Sequence, residues 1–257
     1  MRVAAIQHDI VWQDAAATRK HVEPMIEQAA SSGARLIVLS EMFATGFSME
    51  PERIAEDPGG ETEQFLISQA RRHNAWLVGS IAQFSGEQTP EGTPRAVNVA
   101  VLAGPNGQLH RYRKIHPFSY AREHEHYDAG TGFLNVDLDG LRVTVFICYD
   151  LRFADEFWQC AEGTDLYVVP ANWPEPRREH WRALLRARAI ENQAYVIGCN
   201  RVGRAGTLNH LGDSVILDPL GRALSEASVG ETVLVADVDR AEVARVRERF
   251  PFLQDRR

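Results

Sequence analysis

The stretch Val143–Phe153, VTVFICYDLRF, begins as an unbroken apolar and β-branched run and ends in a cysteine, a tyrosine and a cluster of charge. The run does not alternate with polar residues, so a strand built from it has both faces covered by other layers. Similar runs recur as VAAI near the start, LIVL at Leu36, AWLVGSIA at Ala75, AVNVAVL at Ala96, LYVVP at Leu166, AYVIG at Ala194 and SVILD at Ser214. Helix candidates lie between them: residues 14–32, closed by Gly33, then 61–73, 154–162, 178–192 and 239–249. Strands interleaved with helices predict a layered α/β domain. Pro/Gly turns inside AVLAGPNGQLHRY and VILDPLGRALSEA add hairpins, so a mixed sheet is expected.

Pro24 falls inside the first helix candidate and is expected to end or kink it. FSGEQTPEGTPR, residues 84–95, reads as a polar surface loop. No flexible linker, low-complexity run or internal repeat divides the chain, and residues 1–257 read as one domain. At 44% hydrophobic residues the chain can bury a substantial core. A net charge of −7 argues against a nucleic-acid partner, because phosphate binding needs a concentrated basic surface. The opening MRVAAIQHDI holds too short an apolar run for a signal-peptide core or a membrane span, so a cytoplasmic protein with no membrane contact is expected.

Three cysteines, Cys148, Cys160 and Cys199, are spaced without a CxxC pair and read as reduced thiols. Cys160 in FADEFWQCAE and Cys199 in YVIGCN read as structural. Cys148 is open between core filler and nucleophile, since a free cysteine is among the most buried residue types. Its company matters more than its own run. LIVLS leads into Glu41, VTVFI into Cys148, and LYVVP into Ala171, Asn172 and Trp173. Ligands of α/β sheets bind beyond the carboxyl ends of the strands, where parallel neighbours bring such residues together.

Glu41 alone would read as a surface residue at a strand end, but the aromatic-containing MFATGF that follows it suggests a pocket wall. Amide hydrolysis through a thiol ties these groups together. A thiol needs a base, which Glu41 can supply, and the tetrahedral oxyanion needs donors, which Lys114 of RYRKIHPF and the Tyr149 N–H can supply. His124, Glu125 and His126 could look like metal ligands, because alternate residues of a strand share a face, yet no third histidine or cysteine lies near them, and a polar loop rim without metal is expected. No dinucleotide-binding glycine motif, P-loop or serine-hydrolase elbow is present.

SEMF around Glu41, RKIHPF around Lys114 and ICYDLRF around Cys148 resemble, in order and spacing, the three signature segments of the nitrilase (carbon–nitrogen hydrolase) superfamily. The similarity runs from AAIQ to VILDPLGRAL. It implies a four-layer αββα sandwich with Glu41 as general base, Lys114 at the oxyanion and Cys148 as nucleophile, passing through a thioester without metal or organic cofactor. Glu123 of YAREHEHYDAG matches a second glutamate that positions the lysine and the substrate. The resemblance also implies a homodimer built through helices after Cys148. Ser40 and Ala154 stand where many relatives have proline, and Pro117 where an aliphatic residue is usual.

The segment PANWPEPRREHWRALLRARAIENQAYVIGCNRVG is most similar to the ω-amidase branch, whose substrates are α-keto acid monoamides such as 2-oxoglutaramate. Such a substrate carries a carboxylate far from its amide and calls for a cation, but no particular arginine stands out. Phe43, Phe47, Phe118 and Trp173 are candidate pocket walls beside Tyr149, with Asn172 as a polar contact. Trp181, Leu184, Leu185 and Ala189 fall at helical spacing and read as a packing or dimer face. The alternatives are a hydrolase of N-carbamoyl amino acids, of deaminated glutathione or of nitriles on the same framework, and, in another class, a catalytically silent binding protein.

Overall fold

Both faces of the apolar strands are in use. In β1 (Arg2–Gln7), Val3 and Ala5 enter one buried core while Ala4 and Ile6 enter another, as the two-residue period of a strand requires. The computed structural model describes residues 1–88 and 92–256. Residues 89–91, at the centre of the expected polar loop, lie outside the described residues.

The strands after β1 are β2 (Leu36–Val38), β3 (Trp76–Gln88), β4 (Pro94–Ala103), β5 (Leu109–Arg113) and the short β6 (Tyr127–Asp128). Then come β7 (Leu134–Leu138), β8 (Leu141–Val145), β9 (Leu166–Ala171) and β10 (Tyr195–Asn200). A hairpin of β11 (Val202–Ala205) and β12 (Leu208–Leu211) precedes β13 (Val215–Leu217), β14 (Ala223–Glu226) and β15 (Thr232–Asp237). One sheet has the order β15-β1-β2-β3-β4-β5, with β6 also beside β4, and the other β14-β13-β10-β9-β8-β7. The trios β1-β2-β3 and β8-β9-β10 are parallel. Antiparallel strands flank each trio, so both sheets are mixed as expected.

Each sheet is one antiparallel edge strand, three parallel strands, then an antiparallel pair. The sequence shows no repeat because this symmetry needs only the same hydrophobic pattern in both halves, not the same residues.

The helices are α1 (Ala15–Ser31), α2 (Pro51–Ile54), α3 (Glu61–His73), α4 (Glu123–His126), α5 (Ala154–Cys160), α6 (Arg178–Asn192) and α7 (Arg240–Arg249). Val22 and Ile26 of α1 and Leu66 of α3 pack with Ile37, Leu77 and Val99 on the outer face of the first sheet. Phe157 of α5 and Trp181 and Leu185 of α6 join the core that also fills the space between the sheets. The layers therefore run α, β, β, α.

Helix boundaries follow their caps. Asp14 accepts from Ala17 N at 2.9 Å and Asp239 from Ala241 N at 2.9 Å, so both aspartates are N-caps outside the helix proper. Asn74 and Gln193 close α3 and α6 in the left-handed conformation. The expected break at Pro24 does not occur, and α1 runs through it. Pro24 and Lys20, whose carbonyl loses its helical donor, both sit on the exposed face, where water can replace that bond.

Candidate active site

Glu41 follows β2 in the first sheet, whereas Cys148 and Asn172 follow β8 and β9 in the second. The expected meeting of strand ends does take place, but it crosses the sandwich instead of running along one sheet. The Asn172 N–H donates to Glu41 Oε2 at 2.9 Å, and its side-chain amide donates to the Glu41 carbonyl. Lys114 enters directly after β5, its own N–H held by the Asn98 carbonyl at 2.9 Å.

The Lys114 ammonium is 1% exposed and donates to Glu41 Oε1 at 2.8 Å and to Glu123 Oε2 at 2.8 Å. Burial opposes its charge, but the two carboxylates more than offset this and hold it well above the ordinary lysine range. Glu123, at the start of α4, also accepts the Phe118 N–H on Oε2 at 2.5 Å. Burial and the Glu41 charge push the Glu123 carboxyl up, against the pull of Lys114. Asn98 Nδ2 donates to Oε1 of both glutamates, at 2.9 Å to Glu41 and 3.1 Å to Glu123. Its Oδ1 accepts from Ser80 Oγ at 2.8 Å, and that oxygen accepts the Met42 N–H at 2.8 Å.

Cys148 opens a 3₁₀ turn, Cys148–Arg152, with φ of 44°. A left-handed non-glycine residue costs about 1–2 kcal/mol, and the neighbours Met42 (39°) and Arg122 (62°) carry the same strain beside Glu41 and Glu123. Asp150 holds the Cys148 turn in place. Its carboxylate accepts from Ile147 N at 3.0 Å, His116 N at 2.9 Å and Tyr112 Oη at 2.8 Å, clamping the cysteine segment to the lysine segment. Burial, and after it the Glu41 charge, push the Cys148 thiol well above its ordinary range, while Lys114 pulls it down. The consequence is a thiol that stays neutral beside the Glu41 charge. The Tyr149 N–H sits in the first turn of the 3₁₀ segment, where no intrahelical carbonyl can accept it.

Cys148 and Lys114 look into a cavity of about 360 Å³, and Phe47, Phe118, Tyr149, Asn172 and Trp173 line it as expected. Phe47 lies under the ammonium, its ring centroid 5.1 Å from Lys114 Nζ. Phe43 is a correction. It is fully buried on the helix side of the first sheet, 6.3 Å from the Phe65 ring, in the space that side-chain-free Gly79 leaves open. Two-residue alternation would put Glu41 and Phe43 on one face, but the left-handed turn at Met42 (φ 39°) between them sends their side chains to opposite sides. His124 and His126 lie on the short helix α4 and not on a strand, and the described residues contain no group of three or more His, Cys, Asp or Glu that could hold a metal.

Ser80, Asn98 and Asp150 are absent from the sequence reading. Their signal is a polar residue inside or just past a run buried on both faces, which is costly unless it has a task. Leu208 and His210 of the β11–β12 hairpin and Trp12 also line the cavity, with no sequence signal that they should. Ser40, in place of the usual proline, is matched by His8, whose Nε2 lies 3.2 Å from Ser40 Oγ. His8 Nδ1 must donate to the Asp9 carbonyl at 2.7 Å, which leaves Nε2 to accept the Ser40 hydroxyl proton. Ala154 stands at the first position of α5, where proline is favoured but any good helix former serves.

Burial holds His8 down at about 4, and burial with the charges of Arg201 and Arg177 holds His210 down at about 3. Both rings stay neutral in the fold while their unfolded counterparts protonate below about 6.5, so stability falls as pH drops below that value. By pH 5 each costs about 2 kcal/mol. Urea titrations at pH 7 and pH 5 should show an acid loss about 2 kcal/mol smaller for His8→Gln than for the parent. An identical loss in both would mean that His8 takes up its proton in the fold as readily as in the unfolded chain.

The chain matches the carbon–nitrogen hydrolase family profile over residues 2–248. It is 39% identical to the omega-amidase YafV of Escherichia coli strain K12, over 99% of this chain and 96% of that one. It is 33% identical to the 2-oxoglutaramate amidase of Bacillus subtilis strain 168, over 98% and 96% of the two chains. Among solved structures, a CN-hydrolase superfamily protein from Xanthomonas campestris with an arsenic adduct in its active site superposes with a TM-score of 0.92 at 35% identity, covering 100% of this chain and 97% of that one.

Proposed function

Given that the chain belongs to the carbon–nitrogen hydrolase family, we propose that it is an ω-amidase that hydrolyses the terminal amide of a small carboxylate-bearing substrate of the 2-oxoglutaramate type. The observation that carries this reading is the buried cluster of Glu41, Lys114 and Glu123 against Cys148, at the floor of a cavity with cationic and aromatic walls.

In the first half-reaction Glu41 takes the Cys148 proton as Sγ attacks the amide carbon, and the carbonyl electron pair moves onto oxygen. Lys114 Nζ and the Tyr149 N–H stabilise that oxyanion. The C–N bond then breaks, the nitrogen takes the proton back from Glu41, and ammonia leaves a thioester on Cys148. In the second half-reaction Glu41 deprotonates a water that attacks the thioester, and its proton returns to the thiol as the acid departs. Glu123 holds Lys114 in place and keeps it charged. These steps draw on no group beyond the protein and water.

Residues 1–257 act as one hydrolase domain in this reading, supported by a core cluster that draws on residues from Val3 to Val243. A homodimer through α5 and α6 is part of the proposal, supported by exposed Trp158 and Ile190 on those helices. No helix among the described residues is long and apolar enough to cross a membrane. A cytoplasmic location is proposed with the rest, supported by three free cysteines.

Ammonia release from 2-oxoglutaramate, an N-carbamoyl amino acid, a simple aliphatic amide and a nitrile tests the substrate class. Turnover of 2-oxoglutaramate should lead the panel. No turnover of it beside brisk turnover of another member would reassign the enzyme within the family, and no turnover of any would support the silent binding protein. Asn98→Leu should lower kcat tenfold to about a hundredfold with KM nearly unmoved, because the loss of a buried donor to charged groups costs about 1.5–3 kcal/mol. A change confined to KM would place Asn98 in substrate binding instead.

A further inference from the structure

We propose that Arg177 is the residue that binds the substrate carboxylate at the far end of the cavity. The inference rests on the amidase reading for the near end only. Three cationic side chains, Lys114, Arg152 and Arg177, line the cavity, and among the described lining residues there is no Asp or Glu. Lys114 is matched by Glu41 and Glu123 behind it. Two guanidiniums therefore face this space uncompensated in a chain of net charge −7, which marks it for an anion.

The three neighbouring arginines have different employment. Arg178 is locked in a two-point pair with Asp213, at 2.6 and 2.8 Å. Arg152 lies over Trp173, 4.9 Å from its centroid, and is 3.1 Å from His180 Nδ1. The Arg177 guanidinium lies 5.2 Å from the Phe118 ring centroid and 5.9 Å from that of Tyr120, with no carboxylate in ion-pair range among the described residues. A guanidinium stacked by its face keeps its N–H edge available for a planar, two-oxygen partner.

Its position is also fixed relative to the reacting atoms. The Arg177 carbonyl accepts the Trp173 indole N–H at 2.8 Å, and its N–H donates to the Pro174 carbonyl at 3.1 Å. Phe118 is anchored through its N–H to Glu123, and its ring lies 4.7 Å from that of Tyr149, the neighbour of Cys148. The Arg177 guanidinium, the Phe118 ring and the Tyr149 ring thus follow one another along the wall of the cavity that also holds Cys148. Arg152 stands on the same turn as Cys148, with its guanidinium 6.0 Å from the Tyr149 ring centroid.

Arg177→Met and Arg177→Lys test this in the full-length enzyme, with 2-oxoglutaramate and uncharged pentanamide as paired substrates. The methionine variant should lower the ratio of kcat/KM for 2-oxoglutaramate to that for pentanamide tenfold to about a hundredfold, chiefly through KM, and lysine should restore part of it. A second arm measures protection of Cys148 from iodoacetamide by glutarate, which needs no turnover; protection should weaken by a similar factor in the methionine variant. The proposal is overturned by an unchanged substrate ratio, by equal glutarate protection of both proteins, or by Arg152→Met shifting the ratio when Arg177→Met does not. If the parent enzyme turns over no amide, the amidase reading fails and the glutarate arm still decides Arg177.

Discussion

Cys148→Ala is expected to lower amide turnover by a factor on the order of 10⁶, the scale seen when a covalent hydrolase loses its nucleophile. No other thiol can stand in. Cys199 lies between the sheets and donates to the Ile6 and Val38 carbonyls, each at 3.3 Å. Cys160 closes α5 away from the cavity, and burial and then Glu156 push its thiol up to about 11. Alanine keeps a Cβ at φ 44° and leaves the Asp150 clamp intact, so the backbone strain and the fold are retained. Ammonia assays, a thermal melt and mass spectrometry of rapidly quenched reactions check this together. The parent should accumulate a thioester mass and the variant none, with a similar melting temperature. Turnover above about one per cent in a folded variant would point to a different attacking group.

Glu41→Gln should move two readouts in opposite directions. Turnover falls on the order of 10³ to 10⁴, since glutamine cannot accept the thiol proton or the water proton. Alkylation of Cys148 by iodoacetamide meanwhile becomes faster near neutral pH. The sign follows from the charges at the thiol. Burial raises its pKa, the Glu41 charge raises it further, and Lys114 lowers it. Removing the Glu41 charge takes away one raising influence and leaves Lys114 to stabilise the thiolate, so the alkylation profile shifts to lower pH. Damage to the fold would instead slow turnover and broaden labelling to Cys160 and Cys199. If turnover and Cys148 alkylation fell together in a folded variant, Glu41 would be a scaffold and not the proton acceptor.

Much of the framework is written locally in the chain. Unbroken apolar runs such as VTVFI and LYVVP announce strands covered on both faces, and the spans 61–73 and 178–192 of two helices can be read to the residue. Cap residues refine the others, because Asp14 and Asp239 state where α1 and α7 begin. Cys148, Lys114, Glu41 and Glu123 are legible as a set, each beside a segment that resembles the family's signatures. Pro24 misleads since its cost depends on which side of α1 faces water, and Phe43 misleads because the chain turns sharply at Met42.

What the sequence by itself determined is therefore the layered α/β plan and a candidate set of reacting groups. The tertiary structure alone decided that Glu41 meets Asn172 across the two sheets, that Ser80, Asn98 and Asp150 hold the cluster, and that Arg177 faces the cavity while Arg178 does not. The physical reason is range. Periodicity of two or 3.6 residues tells which side of an element a residue takes. Which sides then meet is set by packing between sheets, across separations such as the 131 positions from Glu41 to Asn172.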